Sequence, residues 1–273
     1  MLNSGFQDKI GVSTACFYPE VTEKAFDTVC TLDVRVCEIF INTHSETRPD
    51  YLRDIKLKAE DNNISVSAVH PYFSGYEAFL FFSGYDMRRF WDSVDLYRPV
   101  FEAARFLGSE YVIFHGPGPA SMKLPVDEYN GRYLLIAEEA KKYGCELLHE
   151  NIGTINDYLQ DLKDIRFTLD FKHSLSRGHD NLEIIEKMNQ TNQTGSNIRH
   201  IHINDMVLSG SREKVDDCRL PFAGTMDYKK IFEKLMDINY IGNFIIEVYR
   251  HNYTNTAEIS ESIRKLRDFC GDL

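Results

Sequence analysis

Eight short apolar runs, with helix-period segments between them, set the tightest limit on how this chain can fold. They are IGVSTACFY (10–18), RVCEIFIN (35–42), ISVSAVHPY (64–72), EYVIFHG (110–116), CELLHENI (145–152), IRFTLDFKH (165–173), IRHIHIND (198–205) and NFIIEVY (243–249). Most are rich in β-branched or aromatic residues, the composition of buried strands. Amphipathic segments fall between them: MRRFWDSVDLYRPVFEAARFLG (87–108), VDEYNGRYLLIAEEAKKYG (126–144), DNLEIIEKMNQ (180–190) and YKKIFEKLMDI (228–238). Gly108 and Gly144 stand where helix C-caps belong. Strands alternating with helices are joined by right-handed parallel crossovers, and eight such units close into a single (β/α)8 barrel, a TIM barrel. An open doubly wound sheet is the alternative, but no GxGxxG or GxxxxGK[ST] motif follows a strand. Without an internal repeat, a low-complexity tract or a Pro/Ser-rich linker, residues 1–273 are expected to form one domain. NQTNQTGSN (189–197) reads as a surface loop.

Composition narrows the class of protein. The chain is 43% hydrophobic and has no run near the roughly 18 apolar residues of a membrane span, so a soluble protein is expected. MLNSGFQDKIGVS lacks the basic-then-apolar layout of a signal peptide. Cys16, Cys30, Cys37, Cys145, Cys218 and Cys270 are scattered, with no CxxC pair, and read as reduced thiols in a cytoplasm. A net charge of −11, from 42 acidic and 31 basic residues, disfavours a nucleic-acid partner, because phosphate backbones are gripped by basic patches.

The polar residues inside the apolar runs carry the functional signal. In IRHIHINDM (198–206) alternation sends His200 and His202 to one face, where the ordinary reading is a pair of hydrogen-bonded core histidines. The other runs change that reading. His70, His115, Glu150, Asp170, His173, His202 and Glu247 all fall at the downstream ends of consecutive strands, where (β/α)8 barrels place their catalytic groups. Taken singly, Glu150 is a strand-end residue facing water and Asp170 a helix-cap aspartate. Taken together, they point to one mouth holding a metal, since carboxylates buried apart in apolar strands would cost several kcal/mol each. Mixed imidazole and carboxylate donors suit Zn, Mn, Fe or Co better than Ca.

LLHEN, LDFKHSLSRG, HIHIND and FIIEVY resemble the ligand-bearing strands of the xylose-isomerase-like TIM barrels. That group includes sugar-phosphate isomerases and epimerases, ketose 3-epimerases, inosose-processing enzymes and endonuclease IV, and the resemblance covers nearly the whole chain. It implies that Glu150, Asp170, His202 and Glu247 hold one divalent metal. Asp205 then stands beside His202, and His200 is left as a packing residue behind it. In the epimerase branch the metal binds two adjacent sugar oxygens and stabilises an enediolate while two glutamates move a proton at carbon. Glu150 and Glu247 resemble that pair. His173 resembles a residue contacting a substrate oxygen; a further metal ligand and a helix-start histidine are its other readings. The implied protein is a divalent-metal-dependent isomerase or epimerase of a small sugar, polyol or sugar phosphate, in a group whose members often form homodimers.

The endonuclease IV branch is the main alternative, a zinc phosphodiesterase acting on abasic-site DNA. His70 in AVHPY and His115 in IFHGPG match histidines that branch uses for a second metal. Its third metal draws on His173 and an Asp-x-His motif, but here DDCRLPFAG keeps Asp217 and puts Arg219 where the histidine is expected. Arginine stays protonated and cannot ligate a metal, although it suits a substrate phosphate or carboxylate, or simply the surface. A second alternative is a barrel that keeps its metal but only binds. The aromatic run HPYFSGYEAFLFFSGY (70–85) reads as a lid over a sugar, a dimer contact or plain core, and Trp91 as packing.

Overall fold

The computed structural model describes residues 4–84, 86–116, 124–151, 165–189, 196–207 and 217–272. Within them the eight expected strands form a closed parallel barrel in sequence order, with β1 paired to β8. They are β1 (Ile10–Ser13), β2 (Val36–Phe40), β3 (Ser65–His70), β4 (Tyr111–Phe114), β5 (Glu146–Glu150), β6 (Arg166–Asp170), β7 (Ile198–Ile203) and β8 (Asn243–Ile246). Each is shorter than its apolar run, because the downstream end of the run turns into the mouth. At β1 the Ser13 hydroxyl accepts from the Ala15 amide and starts a short 3-10 turn. At β6 the chain enters a helix directly at Phe171.

Helices α1 (Thr22–Cys30), α2 (Pro49–Asn62), α3 (Glu77–Phe82), α4 (Met87–Leu107), α5 (Val126–Lys142), α6 (Phe171–Ser176), α7 (Asn181–Asn189), α8 (Tyr228–Asp237) and α9 (Thr256–Asp272) cover the outside. The four segments with helical period become α4, α5, α7 and α8. Gly108 and Gly144 take φ of 76° and 78°, the left-handed geometry expected just past a helix end. Most of the core lies between strands and helices. Of the loop at 189–197, residues 190–195 lie outside the described residues.

A second, small cluster shows how the mouth is built. Ala68 on β3, Ile113 on β4 and Leu148 on β5 pack together as a separate core group. Side chains alternate along a strand, so the residues two further on repeat the same direction one layer up. Those residues are His70, His115 and Glu150. The same step leads from Thr168 to Asp170, from His200 to His202 and from Ile245 to Glu247. Six polar groups thus form the layer above a plugged barrel floor.

The aromatic run divides. Phe73, Phe81 and Phe82 are buried, with Phe81 packed against Phe90, Tyr97 and Phe114, while Tyr76 and Phe79 stay exposed. Trp91 is also part exposed, edge-on to Phe90. All six cysteines are free thiols, and among the described residues no helix is long and apolar enough to cross a membrane.

Candidate metal centre

Asp170 shows how the strand ends hold their side chains. Its Oδ1 accepts from the backbone amides of Lys172 (2.8 Å) and His173 (3.2 Å), so it is indeed the cap of α6, and from Asn204 Nδ2 (3.1 Å). Asn151 ties the end of β5 to it, donating to the Asp170 carbonyl (2.9 Å) and accepting from its amide (2.6 Å). With one oxygen and the backbone fixed, Oδ2 is left without a hydrogen-bond partner. It stands 3.9 Å from His202 Nδ1.

His202 is oriented from behind. Glu38, on β2, is fully buried, and its Oε2 accepts from His202 Nε2 (2.9 Å) and His200 Nε2 (3.0 Å). Its Oε1 accepts from the Ser13 hydroxyl (2.8 Å). A proton on Nε2 leaves His202 Nδ1 to face forward, 3.2 Å from Glu247 Oε2 and 3.4 Å from Glu150 Oε1. Nδ1 has no hydrogen-bond partner either. This is the carboxylate-behind-histidine arrangement that fixes the tautomer of a metal-ligating imidazole. His200 keeps its structural role, as a buried donor to Glu38.

Glu150 is the hub. Around it lie His115 Nε2 (3.1 Å), His173 Nε2 (3.2 Å), His202 Nδ1 (3.4 Å) and His70 Nε2 (3.6 Å). Glu150 Oε2 has no aligned hydrogen bond although it is buried. His70 and His115 meet at 3.0 Å between their Nε2 atoms, and His70 Nδ1 donates to the Pro71 carbonyl (3.3 Å). Glu77, at the start of α3, backs this side. Its buried carboxylate accepts from the Gly116 amide (2.5 Å) and from the Tyr97 hydroxyl, fixing the backbone that follows His115.

Electrostatics follow from the crowding. Burial opposes the charge on Glu150, but His115, His202 and His173 outweigh it and hold its pKa well below the ordinary carboxylate value. Burial raises Glu247, His202 pulls against it, and Glu38 and Glu150 leave it raised. Burial would depress His202, yet Glu247, Glu38 and Glu150 hold it well above the usual imidazole value. His115 is driven down to about 4 by burial.

The donor atoms fit a divalent cation. Glu150, Asp170, His202 and Glu247 each offer an atom within 4.8 Å of the others, and three of those side chains carry buried, unpartnered polar atoms. Donors ~2.0–2.2 Å from a Zn-like ion lie roughly 3–3.5 Å apart, close to the separations around His202 Nδ1. A buried group of this kind without partners costs free energy that an ion would recover. His70, His115 and Glu150 form a second such group, sharing Glu150. Both open onto a cleft of about 470 Å³ lined by His70, His115, Glu150, His173, Glu247 and Lys172, with Phe40, Tyr72 and Tyr249 among its walls. Lys172 is 5% exposed; its Nζ donates to the Tyr249 hydroxyl (2.6 Å). Asp217 and Arg219 pair with each other, Nε to Oδ2 at 2.6 Å, and are not among the described residues lining the cleft.

A closed parallel barrel with a cluster of imidazoles and carboxylates at the C-terminal ends of its strands defines the class: a (β/α)8 protein whose candidate site lies at that face. The chain belongs to the xylose isomerase-like TIM barrel family, which it matches over residues 26–269. Among solved structures it resembles a D-tagatose 3-epimerase-like protein, at 21% identity and a TM-score of 0.76 over 97% of this chain and 98% of that one. A D-psicose 3-epimerase solved in the presence of D-fructose matches at 16% identity and a TM-score of 0.72, over 96% and 97%. An inosose dehydratase of Clostridium perfringens is 24% identical over 184 residues, 52% of this chain and 58% of that protein. The chain thus spans less than two thirds of the length of the curated relative.

The sites expected from the sequence come together, with Asp217 and Arg219 standing apart. Glu38, Glu77, Asn151, Asn204 and Lys172 were not anticipated. A charged residue inside the run VCEIF was the available signal for Glu38, because a carboxylate in a buried strand requires partners.

Proposed function

We propose that the protein is a divalent-metal-dependent isomerase or epimerase acting on a small sugar, polyol or sugar phosphate. The observation that carries this reading is the meeting of four donor side chains, three with unpartnered buried atoms and two, Glu150 and Glu247, lining the cleft. A bound divalent ion would supply Lewis-acid stabilisation of negative charge on the sugar oxygens. Glu150 and Glu247, on non-adjacent strand ends, approach the same His202 Nδ1 at 3.4 and 3.2 Å, and to them we assign the removal of a proton from carbon and its return. His173 reaches the same space from the first turn of α6 and serves a substrate oxygen. Tyr72, Phe40 and Tyr249 offer faces for a sugar ring and exclude water. The relatives named as sugar epimerases and as inosose dehydratase support the substrate class. The free thiols accord with a reducing, cytoplasmic setting.

The second cluster, His70–His115–Glu150, favours a second ion and is the observation that keeps the zinc phosphodiesterase reading in view. Against it stand the net charge of −11 and a cleft whose described lining includes a single lysine and no arginine. Three measurements decide. Elemental analysis of the purified protein gives the ion and its stoichiometry. Incubation in D2O with a panel of ketoses and ketose phosphates, followed by NMR, should show deuterium entering at the carbon beside the carbonyl. Incision of abasic-site duplex by the zinc-loaded protein, without exchange on any sugar, would replace the sugar reading.

A further inference from the structure

Lys172 is the one permanent cation among the described residues that line the cleft. It is nearly buried, and no carboxylate of the described residues lies within ion-pair distance of its ammonium group. A buried ammonium without a paired anion is costly, so its placement calls for a use. Its backbone amide is anchored to Asp170 Oδ1 and to Asn204 Oδ1 (3.0 Å), which fixes where the side chain starts. At its other end Nζ donates to Tyr249 Oη at 2.6 Å and lies 4.1 Å from the centre of that ring. One phenol thus holds the ammonium at the cleft wall, while an ammonium has two more protons to donate.

We infer that Lys172, steadied by Tyr249, binds the substrate oxygen on which negative charge builds when a proton leaves the neighbouring carbon. This rests on the proton-transfer reading above. The step balances without any further reactant. A glutamate carboxylate takes the proton from carbon, the C–H electron pair becomes the carbon–carbon double bond, and the carbonyl π pair moves onto oxygen. Lys172 donates a hydrogen bond to that oxygen and keeps its proton; return of a proton to either face of the carbon reverses the sequence. The charges around the site favour such a step. Glu38, Glu150, Asp170 and Glu247 crowd carboxylates into the site, and Lys172 is the one permanent cation among the described residues lining the cleft. A neutral sugar then develops its negative charge beside a cation already fixed in place.

The test uses the full-length protein loaded with Mn2+, with Lys172→Met, Lys172→Arg and Tyr249→Phe beside it. Proton exchange of a ketose substrate should fall about 100- to 1000-fold in kcat for Lys172→Met, the range for losing one preorganised donor to a developing oxyanion. KM should move by no more than about three-fold, since the contact strengthens only as charge develops. Lys172→Arg should recover part of the loss, and Tyr249→Phe should lie between. Two binding readouts separate this from a structural role. Glycolohydroxamate, a planar anionic mimic of the deprotonated sugar, should bind Lys172→Met about 10- to 100-fold more weakly by calorimetry. Mn2+ should bind that variant as tightly as wild type or tighter, because a like charge has been removed. Wild-type-like kcat, a loss confined to KM, or equal hydroxamate binding overturns the inference, as does weaker Mn2+ binding, which marks a structural part. If Lys172→Met does not fold, Lys172→Gln takes its place. If wild type neither exchanges any ketose nor binds the hydroxamate, the proton-transfer reading itself fails, a result distinct from a variant that matches an active wild type.

Discussion

Glu38 and Glu150 are both carboxylates buried within one barrel, and their surroundings differ in one respect. Both oxygens of Glu38 accept hydrogen bonds, from Ser13, His200 and His202. Glu150 is ringed by four imidazole nitrogens at 3.1–3.6 Å, yet one of its oxygens has no aligned donor. The first is a finished network, and such networks rigidify. The second is a set of acceptors turned toward a common point, which is what a site for a cation requires. His202 joins the two, with Nε2 in the finished network and Nδ1 in the open one.

The largest effect expected from disturbing the open cluster is on turnover. Glu247→Gln keeps the size of the side chain and removes its capacity to take a proton. It should lower exchange by ~10²–10⁴-fold, the range for losing a general base, with an unchanged far-UV circular dichroism spectrum. Undiminished exchange would remove Glu247 from the reaction.

Glu38 should behave differently on both counts. Glu38→Gln leaves the barrel folded but turns one accepting oxygen into a donor, so His202 is no longer held with Nδ1 forward. Metal affinity is expected to drop about 10- to 100-fold, as for other groups that orient a ligating histidine. Glu38→Ala strands two buried imidazoles and a hydroxyl, and should cost roughly 3–5 kcal/mol of stability in urea unfolding. If Glu38→Gln leaves metal affinity untouched while Glu247→Gln abolishes it, the finished network has no hold on the open one. A smaller effect is expected on the other flank. His70→Ala with His115→Ala should reduce ion stoichiometry from two to one by elemental analysis and leave the first ion bound, within about ten-fold in affinity. Loss of both ions would merge the two clusters into one site.

The contrast also explains what sequence could deliver. The eight strands were readable because apolar, β-branched runs recur between helical segments, and the mouth because His, Asp and Glu fall at the downstream end of one run after another. Strand limits were not, since each end is set by tertiary partners such as Asn151 and Asn204, which stop β5 and β7 by bonding to Asp170 and the start of α6. Glu38 sits in the middle of its run, so an argument from strand ends passes over it. Its function depends on Ser13, His200 and His202, which are 25, 162 and 164 positions away. Lys172 follows the same logic, as its partner Tyr249 is 77 residues distant. Arg219 was readable as a cation but not as the partner of Asp217, two residues before it.

The smallest expected effect is a dependence on pH that separates the ion-free from the ion-loaded protein. Among the buried and half-buried histidines, His202 has its pKa raised well above the ordinary value against the effect of burial, and His70 and His173 are raised as well. His115 and His149 are driven down to about 4 by burial, and His200 is also lowered. A histidine raised on folding contributes stability that is fully present below its unfolded pKa of about 6.5 and is lost as pH rises through its folded pKa. A lowered one costs stability only as pH falls below 6.5. Above that value the lowered histidines drop out and the raised ones act, so the ion-free protein should lose stability steadily from about pH 6.5 toward pH 8, below the range in which the buried cysteines, whose pKa values burial raises, add a loss of their own. For a chain of this size each kcal/mol moves Tm by about 2–4 °C. With an ion bound, His202 would hold metal in place of the proton, the cation would neutralise the same negative charge, and Tm should be nearly flat over that interval. The complementary measurement is proton release: loading with Mn2+ near pH 7 in a weakly buffered solution should acidify it, and metal affinity should rise with pH. A thermal scan in which chelator-treated and Mn2+-loaded protein share one pH profile would show that no proton on His202 competes with the ion, and would take the open cluster out of the metal's reach.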